Sequence, residues 1–312
     1  MFGLIEKCYS GGEGQPLRTD SIGSEDGLKR YFLLIGTVVI LTISSLSSPE
    51  AFPQKRIPAK AAVVMDATGV VLYSKFPNAK LAPASTVKLV TAMVVLDRLT
   101  PETKVRVSAN ASRVRSISPR LCPEEELTVS DLLHLALMKS INSAAVALAE
   151  AAAGTEDEFA ALMNQKAGEI GANTTLFANA SGLPKGKQYT TAADLALIMR
   201  AALSYPFIRE VLGKKEALIR TAAGRDILVD NSNDLLWYEQ NMIGGKTGYT
   251  GNARHCFVCA INTDKGPLIT AVLGARSRRG LWKSTLMLNE LVLKPELAFV
   301  KNRSGVARTV SH

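Results

Sequence analysis

Residues 81–96 read LAPASTVKLVTAMVVL, a run apolar on every side, as in a helix buried at the centre of a large domain rather than one resting on its surface. Pro83 suits the first turn, where its missing N–H is no loss. One charged side chain, Lys88, interrupts the run three positions after Ser85. Positions i and i+3 share a helix face, so hydroxyl and amine can meet. A lysine forced into apolar surroundings snorkels, pairs or loses its proton, and burial moves its pKa toward the range of a working base. Ser85 also sits near the positive helix end, which favours a developing oxyanion and disfavours a second cation. A neutral amine beside a hydroxyl makes an activated nucleophile. The competing reading is a solvated helix start with an accidental Ser-x-x-Lys, because so short a pattern recurs by chance in a chain this long.

The chain has 312 residues, 47% of them hydrophobic, enough for one large domain or two small ones with a real core. Its net charge of +9 suits an anionic neighbour, whether nucleic acid, lipid or polymer. The basic residues are scattered apart from Lys29-Arg30, Lys55-Arg56 and the group Arg276, Arg278 and Arg279. No nucleic-acid motif with interleaved aromatics accompanies them, so nucleic acid is not an expected partner. Of the four cysteines, Cys8 precedes the apolar segment at 31–43, Cys122 falls in a loop, and Cys256 and Cys259 share a predicted strand. Positions three apart on a strand face opposite ways, so this pair is a poor metal clamp and reads as packed core thiols. A disulfide through Cys122 stays open. Three dispersed histidines suggest no metal site, and no cofactor is expected.

Residues 1–27 are polar, glycine-rich and mixed in charge. Leu28-Lys29-Arg30 then introduces an apolar run of 13 residues, 31–43, followed by Ser44, Ser45, Ser47 and Ser48. That basic, apolar, small order is an export signal's, and the run is shorter than the ~18 to 20 residues of a full membrane span. Residues 1–51 therefore read as a polar leader plus an export signal cleaved near residues 47–51, or an uncleaved anchor with its N-terminus inside. Strands are expected at 61–65 and 70–74 around the turn Asp66-Ala67-Thr68-Gly69. Residues 101–127 carry little periodicity, punctuated by Pro101, Pro119 and Pro123. Helices are expected at 130–138 and 143–153, with a third opened by a capping box at Thr155 and Glu158 and closed by Gly171. A fourth, capped by Thr191 and Asp194, ends before Pro206. Strand patterns return at 217–221, 227–230, 242–249, 254–263 and 268–273, with Asp264-Lys265-Gly266 as a tight turn, before a closing helix at 281–292. Strands at both ends with helices between them imply an α+β fold. One antiparallel sheet is built from the N- and C-terminal segments and flanked by helices, with an inserted all-helical lobe and a cleft between the lobes.

Lys139-Ser140-Ile141-Asn142-Ser143 lies between two of the inserted helices, where a Ser-x-Asn is commonly a cap. Gly244-Gly245-Lys246-Thr247-Gly248-Tyr249-Thr250 reads as a strand bordered by glycines, which often mark where another backbone comes close. An extended peptide can add to such an edge through main-chain hydrogen bonds. A glycine-rich hairpin with a solvated lysine would show the same letters. Ser-x-x-Lys, Ser-x-Asn and Lys-Thr-Gly strengthen one another in this order, each being the only plausible copy at its place. With them the chain resembles the serine D-Ala-D-Ala carboxypeptidases among the low-molecular-weight penicillin-binding proteins, whose fold is β-lactamase/DD-peptidase-like. The likeness runs from about residue 61 to 292 and extends to residues 176–183, to 189–192 and to Leu235-Leu236-Trp237.

The resemblance implies a DD-peptidase catalytic domain over residues 52–295 that performs acyl transfer on the stem peptides of peptidoglycan. It places the protein outside the cytoplasm, in the periplasm or on the outer face of the cytoplasmic membrane, with inner-membrane association through the N-terminal segment and β-lactams as covalent inhibitors. Ser85 would attack the carbonyl of the penultimate D-Ala while neutral Lys88 takes its proton. Ser140 would relay a proton to the leaving amine, positioned by Asn142, which also contacts the peptide. Lys246 would keep Ser140 poised, hold Lys88 neutral by like-charge repulsion and draw in the substrate carboxylate, to which Thr247 hydrogen-bonds. Gly248 and Tyr249 complete the substrate-binding set, with the N–H groups of Ser85 and Tyr249 as the oxyanion hole. Several positions depart from the family pattern. Residues 296–312 form only a short tail with no second β domain, Ile141 fills the middle of the second motif, and Leu281 stands where longer members carry a carboxylate-binding arginine, slightly after Arg278 and Arg279. The short architecture, with Ala144-Ala145 after the second motif, also resembles the DD-endopeptidases, which cut crosslinks by the same mechanism. A β-lactamase would carry a deacylating Glu-x-x-Leu-Asn segment, which this chain lacks. The alternative of another class, a non-catalytic wall-binding protein, is opposed by the joint retention of Ser85, Lys88, Ser140, Asn142 and Lys246.

Overall fold

The computed structural model describes residues 57–294. The polar leader, the apolar run at 31–43 with its export reading, and the tail at 296–312 lie outside the described residues. Among those described, no helix is long and apolar enough to cross a membrane. Strand β1 (Ala61–Met65) buries all five residues and turns into β2 (Val71–Lys75) where the sequence places a hairpin. The turn is held by one carboxylate: Asp66 Oδ1 accepts the N–H groups of Thr68, Gly69 and Val70 at 2.9–3.0 Å, the local bonding that makes aspartate a turn former. Three C-terminal strands, β7 (Met242–Thr250), β8 (Arg254–Ile261) and β9 (Leu268–Ala275), complete a five-stranded antiparallel sheet in the order β2-β1-β9-β8-β7. The first strands of the described chain thus lie beside its last, and the intervening helices form the inserted lobe.

Along β8 the side chains alternate between two cores. Cys256, Val258 and Ala260 enter the larger one, whereas Phe257, Cys259 and Ile261 enter the smaller. The two thiols therefore face opposite ways, as a two-residue period requires, and both are free and buried; Cys122 is free and exposed. Helix α1 (Lys88–Leu96) runs through the larger core with eight of its nine residues buried. Its burial is largely apolar, at roughly 1.5–3 kcal/mol for each large side chain. The expected single helix from residue 81 begins later, because Leu81 exchanges both backbone hydrogen bonds with Thr190. Only then does a 3-10 turn, Ala84–Val87, lead into α1.

The short hairpin β3 (Lys104–Arg106) and β4 (Glu126–Thr128), with α2 (Ala109–Arg113) between its strands, fills the stretch that shows little periodicity. Helix α3 (Val129–His134) opens with a reciprocal capping box between Thr128 and Asp131 and runs on into a π turn, Leu135–Lys139, that ends at Ser140. There follow α4 (Asn142–Ala153), α5 (Glu156–Ile170), capped by Thr155 and closed by Gly171, and α6 (Ala192–Ala202), capped by Thr191. Helix α1 packs against all three. Pro206 does more than end a helix: it starts α7 (Pro206–Gly213), where a missing N–H is tolerated. The strands β5 (Glu216–Arg220) and β6 (Asp226–Asp230) form a separate two-stranded ribbon instead of extending the main sheet. Their outer faces stay in solvent, with Leu218 directly opposite Leu228 and both 66% exposed. Helix α8 (Arg278–Leu293), capped by Ser277, closes the smaller core on the opposite sheet face from α6.

The turn carrying Ser85 is wedged by backbone rather than by side chains. Gly182 adopts φ +82°, and a Cβ there would lie 2.0 Å from the carbonyl oxygen of Ala84. Gly182→Ala should cost about 2–4 kcal/mol through the left-handed backbone and the clash together. A urea titration of the purified variant measures this loss, and a change below 1 kcal/mol, roughly the spread of surface substitutions, would show that the wedge is soft.

Candidate active site

Ser85 lies in the 3-10 turn and Lys88 opens α1. Residues three apart eclipse in a 3-10 turn, which brings Lys88 Nζ to 2.9 Å from Ser85 Oγ. The same nitrogen lies 2.7 Å from Asn142 Oδ1 and 2.6 Å from the carbonyl oxygen of Ser181. Those two oxygens can only accept, so they take two N–H groups. A neutral amine then has one lone pair left, and its remaining neighbour is the Ser85 hydroxyl, which can donate to it. Burial first, and then the charge of Lys246, push Lys88 well below the ordinary lysine range. The arrangement can move a proton from Ser85 Oγ to Lys88 Nζ.

Asn142 is clamped at the start of α4: its N–H donates to Ser116 Oγ at 2.9 Å and its Nδ2 to the carbonyl of Arg115 at 2.7 Å. This orients Oδ1 toward Lys88. Ser140, at φ +68°, is the left-handed residue that ends the π turn. Ile141 is fully buried in the larger core, which accounts for an apolar residue in the middle of the second motif. Strand β7 is an edge of the sheet, and Gly248 lets it approach the turn that carries Ser85, since a Cβ there would lie 2.9 Å from the Ser85 nitrogen. Ser85, Ser140, Asn142, Thr247, Gly248 and Tyr249 line one groove of about 360 Å³, with Ile117, Ser232, His255, Arg278 and Trp282 among its other walls.

Lys246 is fully buried, and burial pushes it down to about 7. Its hydrogen bond goes to the carbonyl of Thr247 at 3.0 Å, an acceptor supplied by its own strand. Thr247 Oγ1 lies 2.6 Å from Ser232 Oγ, a partner with no signal in the sequence. Leu281 is buried, while Arg278 lines the groove and is held by Asp234 at 2.8 and 3.1 Å, and donates to the carbonyl of Ser232. Among the described residues no group of His, Cys, Asp and Glu could hold a metal ion.

The sequence profile described as D-alanyl-D-alanine carboxypeptidase matches residues 48–277. The chain belongs to that family. It is 35% identical over 257 residues to D-alanyl-D-alanine carboxypeptidase DacF of Bacillus subtilis, covering 78% of this chain but only 65% of that relative's length. It is 33% identical over 227 residues to a D-alanyl-D-alanine endopeptidase of Escherichia coli, covering 71% of this chain and 73% of the relative. The crystal structure of a D-alanyl-D-alanine carboxypeptidase from Mycobacterium tuberculosis superposes with a TM-score of 0.73 at 31% identity, over 79% of this chain and 95% of that one. The family's β-lactamase-like α+β fold is therefore the fold of this protein.

Folding lowers the Lys246 pKa from 10.5 to about 7, so between those values the unfolded chain binds more protons and stability rises with pH. Lys88 acts in the same direction. From about pH 7 to 9 the unfolding free energy should climb by on the order of 1 kcal/mol per pH unit. Lys246→Met should flatten that climb in urea titrations; an undiminished slope would mean that burying this lysine leaves its protonation unchanged.

Proposed function

We propose that this protein is a serine DD-peptidase of peptidoglycan, removing the terminal D-Ala from stem pentapeptides through an acyl-enzyme on Ser85. The observation that carries the reading is the fully buried amine of Lys88 at 2.9 Å from the Oγ of Ser85, a residue that lines a groove bordered by β7. Ser85 Oγ attacks the carbonyl carbon of the penultimate D-Ala as Lys88 takes its proton. The oxyanion is held by the N–H groups of Ser85 and Tyr249, and the contact at Gly248 keeps those two backbones close. The C–N bond then breaks, the leaving amine receives its proton through Ser140, and water hydrolyses the ester to restore Ser85. Thr247, oriented by Ser232, and protonated Lys246 take the carboxylate of the departing residue, which in turn raises the Lys246 pKa. Asn142 holds the Lys88 amine in place and contacts the peptide. Export through residues 31–43 delivers the enzyme to the periplasm or the outer face of the cytoplasmic membrane. β-Lactams present a similar carbonyl and carboxylate, acylate Ser85 and leave slowly.

Endopeptidase action on crosslinks by the same mechanism is the second reading. Two observations favour it: the Arg278 guanidinium is already paired with Asp234, and the E. coli relative named an endopeptidase is 33% identical. Digestion of purified muropeptides separates the two, free D-Ala from pentapeptides supporting the first and conversion of dimers to monomers the second.

Fluorescent penicillin should label the wild type and not Ser85→Ala, and Lys88→Met should slow labelling by about 10²–10⁴-fold. Equal labelling of wild type and Ser85→Ala would remove Ser85 as the nucleophile. Neutralising Lys246 should slow acylation by carboxylate-bearing substrates more than by their methyl esters; equal losses on both would contradict its role in carboxylate recognition.

A further inference from the structure

Helix α4 starts with neither a side-chain cap nor an acidic residue in its first turn. Its second residue, Ser143, is 1% exposed, and the Ser143 Oγ has no hydrogen-bond partner among the described residues. Buried hydroxyls are nearly always paired, so an orphan at this point asks for a ligand. Ser143 forms part of the wall of a hollow of about 330 Å³, otherwise lined by Ser112, Arg113, Val114, Arg115, Ser116 and Arg120. Three arginines and no carboxylate thus line the hollow whose wall includes that buried hydroxyl. The arginines in ion pairs among the described residues are Arg106, Arg220, Arg225 and Arg278, which leaves Arg113, Arg115 and Arg120 outside every such pair.

We propose that this hollow is a binding site for a phosphoryl group, held by Arg113, Arg115 and Arg120 and by the Ser143 hydroxyl at the N-terminus of α4. Guanidinium forks pair bidentately with oxyanions, and helix N-termini offer N–H groups and a positive dipole end to the same charge. A monoanionic carboxylate would leave two of the three cations without a counter-charge, whereas a phosphoryl dianion presents three terminal oxygens to them and a further acceptor site to the serine. The site borders the groove without belonging to it: Arg115 and Ser116 supply the carbonyl and hydroxyl that clamp Asn142. An occupant therefore steadies the loop that orients the amide facing Lys88. The proposal does not depend on the reaction that the groove performs.

Calorimetric titration of the full chain with inorganic phosphate, in chloride buffer of matched ionic strength, tests it. The wild type should bind phosphate, Ser143→Ala should weaken binding severalfold, and Arg113→Gln with Arg120→Gln should weaken it by about tenfold or more. Arg254→Gln with Arg276→Gln, in the separate basic hollow beside Lys60 and Lys75, should leave it unchanged. Thermal melting verifies that each variant is folded, and the paired arginine variant carries the test if Ser143→Ala is not. Glycerol 3-phosphate binding alongside phosphate would indicate the phosphoryl end of a larger molecule, and phosphate alone a free ion; both support the site. No binding beyond chloride, equal binding by the paired arginine variant, equal loss in the Arg254 and Arg276 variant, or succinate binding as tightly as phosphate would each overturn it.

Discussion

A lysine amine sealed from water at the N-terminus of α1 is the constraint that the rest of this structure meets. Left charged and unpaired there, it would be strongly destabilising, and three stretches far apart in sequence converge to prevent that. The Ser181 carbonyl comes from a turn locked by Asn179, whose Oδ1 accepts from the N–H groups of Ser181 and Gly182. Thr91, one turn further along α1, donates to the carbonyl of Ala180 at 2.8 Å, so helix and turn move as one. The Asn142 amide is fixed from the other side by Arg115 and Ser116. The position of the Lys88 amine beside Ser85 is thus set by hydrogen bonds from distant segments.

The second buried lysine makes sense only in relation to the first. Lys246 sits in the edge strand and adds its charge to the burial that depresses Lys88, so the pair resists double protonation. The neighbouring rim is also positive: after burial, Arg278 and Arg254 both lower the His255 pKa. In the proposed reaction an anionic substrate end would relieve this crowding by giving Lys246 a counter-charge while leaving Lys88 neutral.

Much of this was legible in the sequence because it rests on local spacing. The Ser85 and Lys88 pair follows from a three-residue interval, the hairpin at Asp66 from turn chemistry, and the opposed thiols of β8 from the period of a strand. What stayed hidden depends on contacts between distant segments. Nothing near Leu81 announces its bridge to Thr190, which delays the helix to Ala84. Nothing near Ser232 announces Thr247, fifteen positions away in sequence, and the strands of the hairpin over residues 104–128 are too short to show a period. The bond from Lys246 to its own neighbour's carbonyl depends on side-chain packing that spacing alone does not carry.

The strand order β2-β1-β9-β8-β7 also sets a timetable for maturation. Ser85 and Lys88 are synthesised early, but the strand that leans on their turn and the one that joins that strand's neighbour to β1 are among the last described segments to emerge from the ribosome. Pairings across such separations form slowly. An incomplete chain therefore carries Ser85 and Lys88 before the strand whose Gly248 packs against their turn exists to cover them.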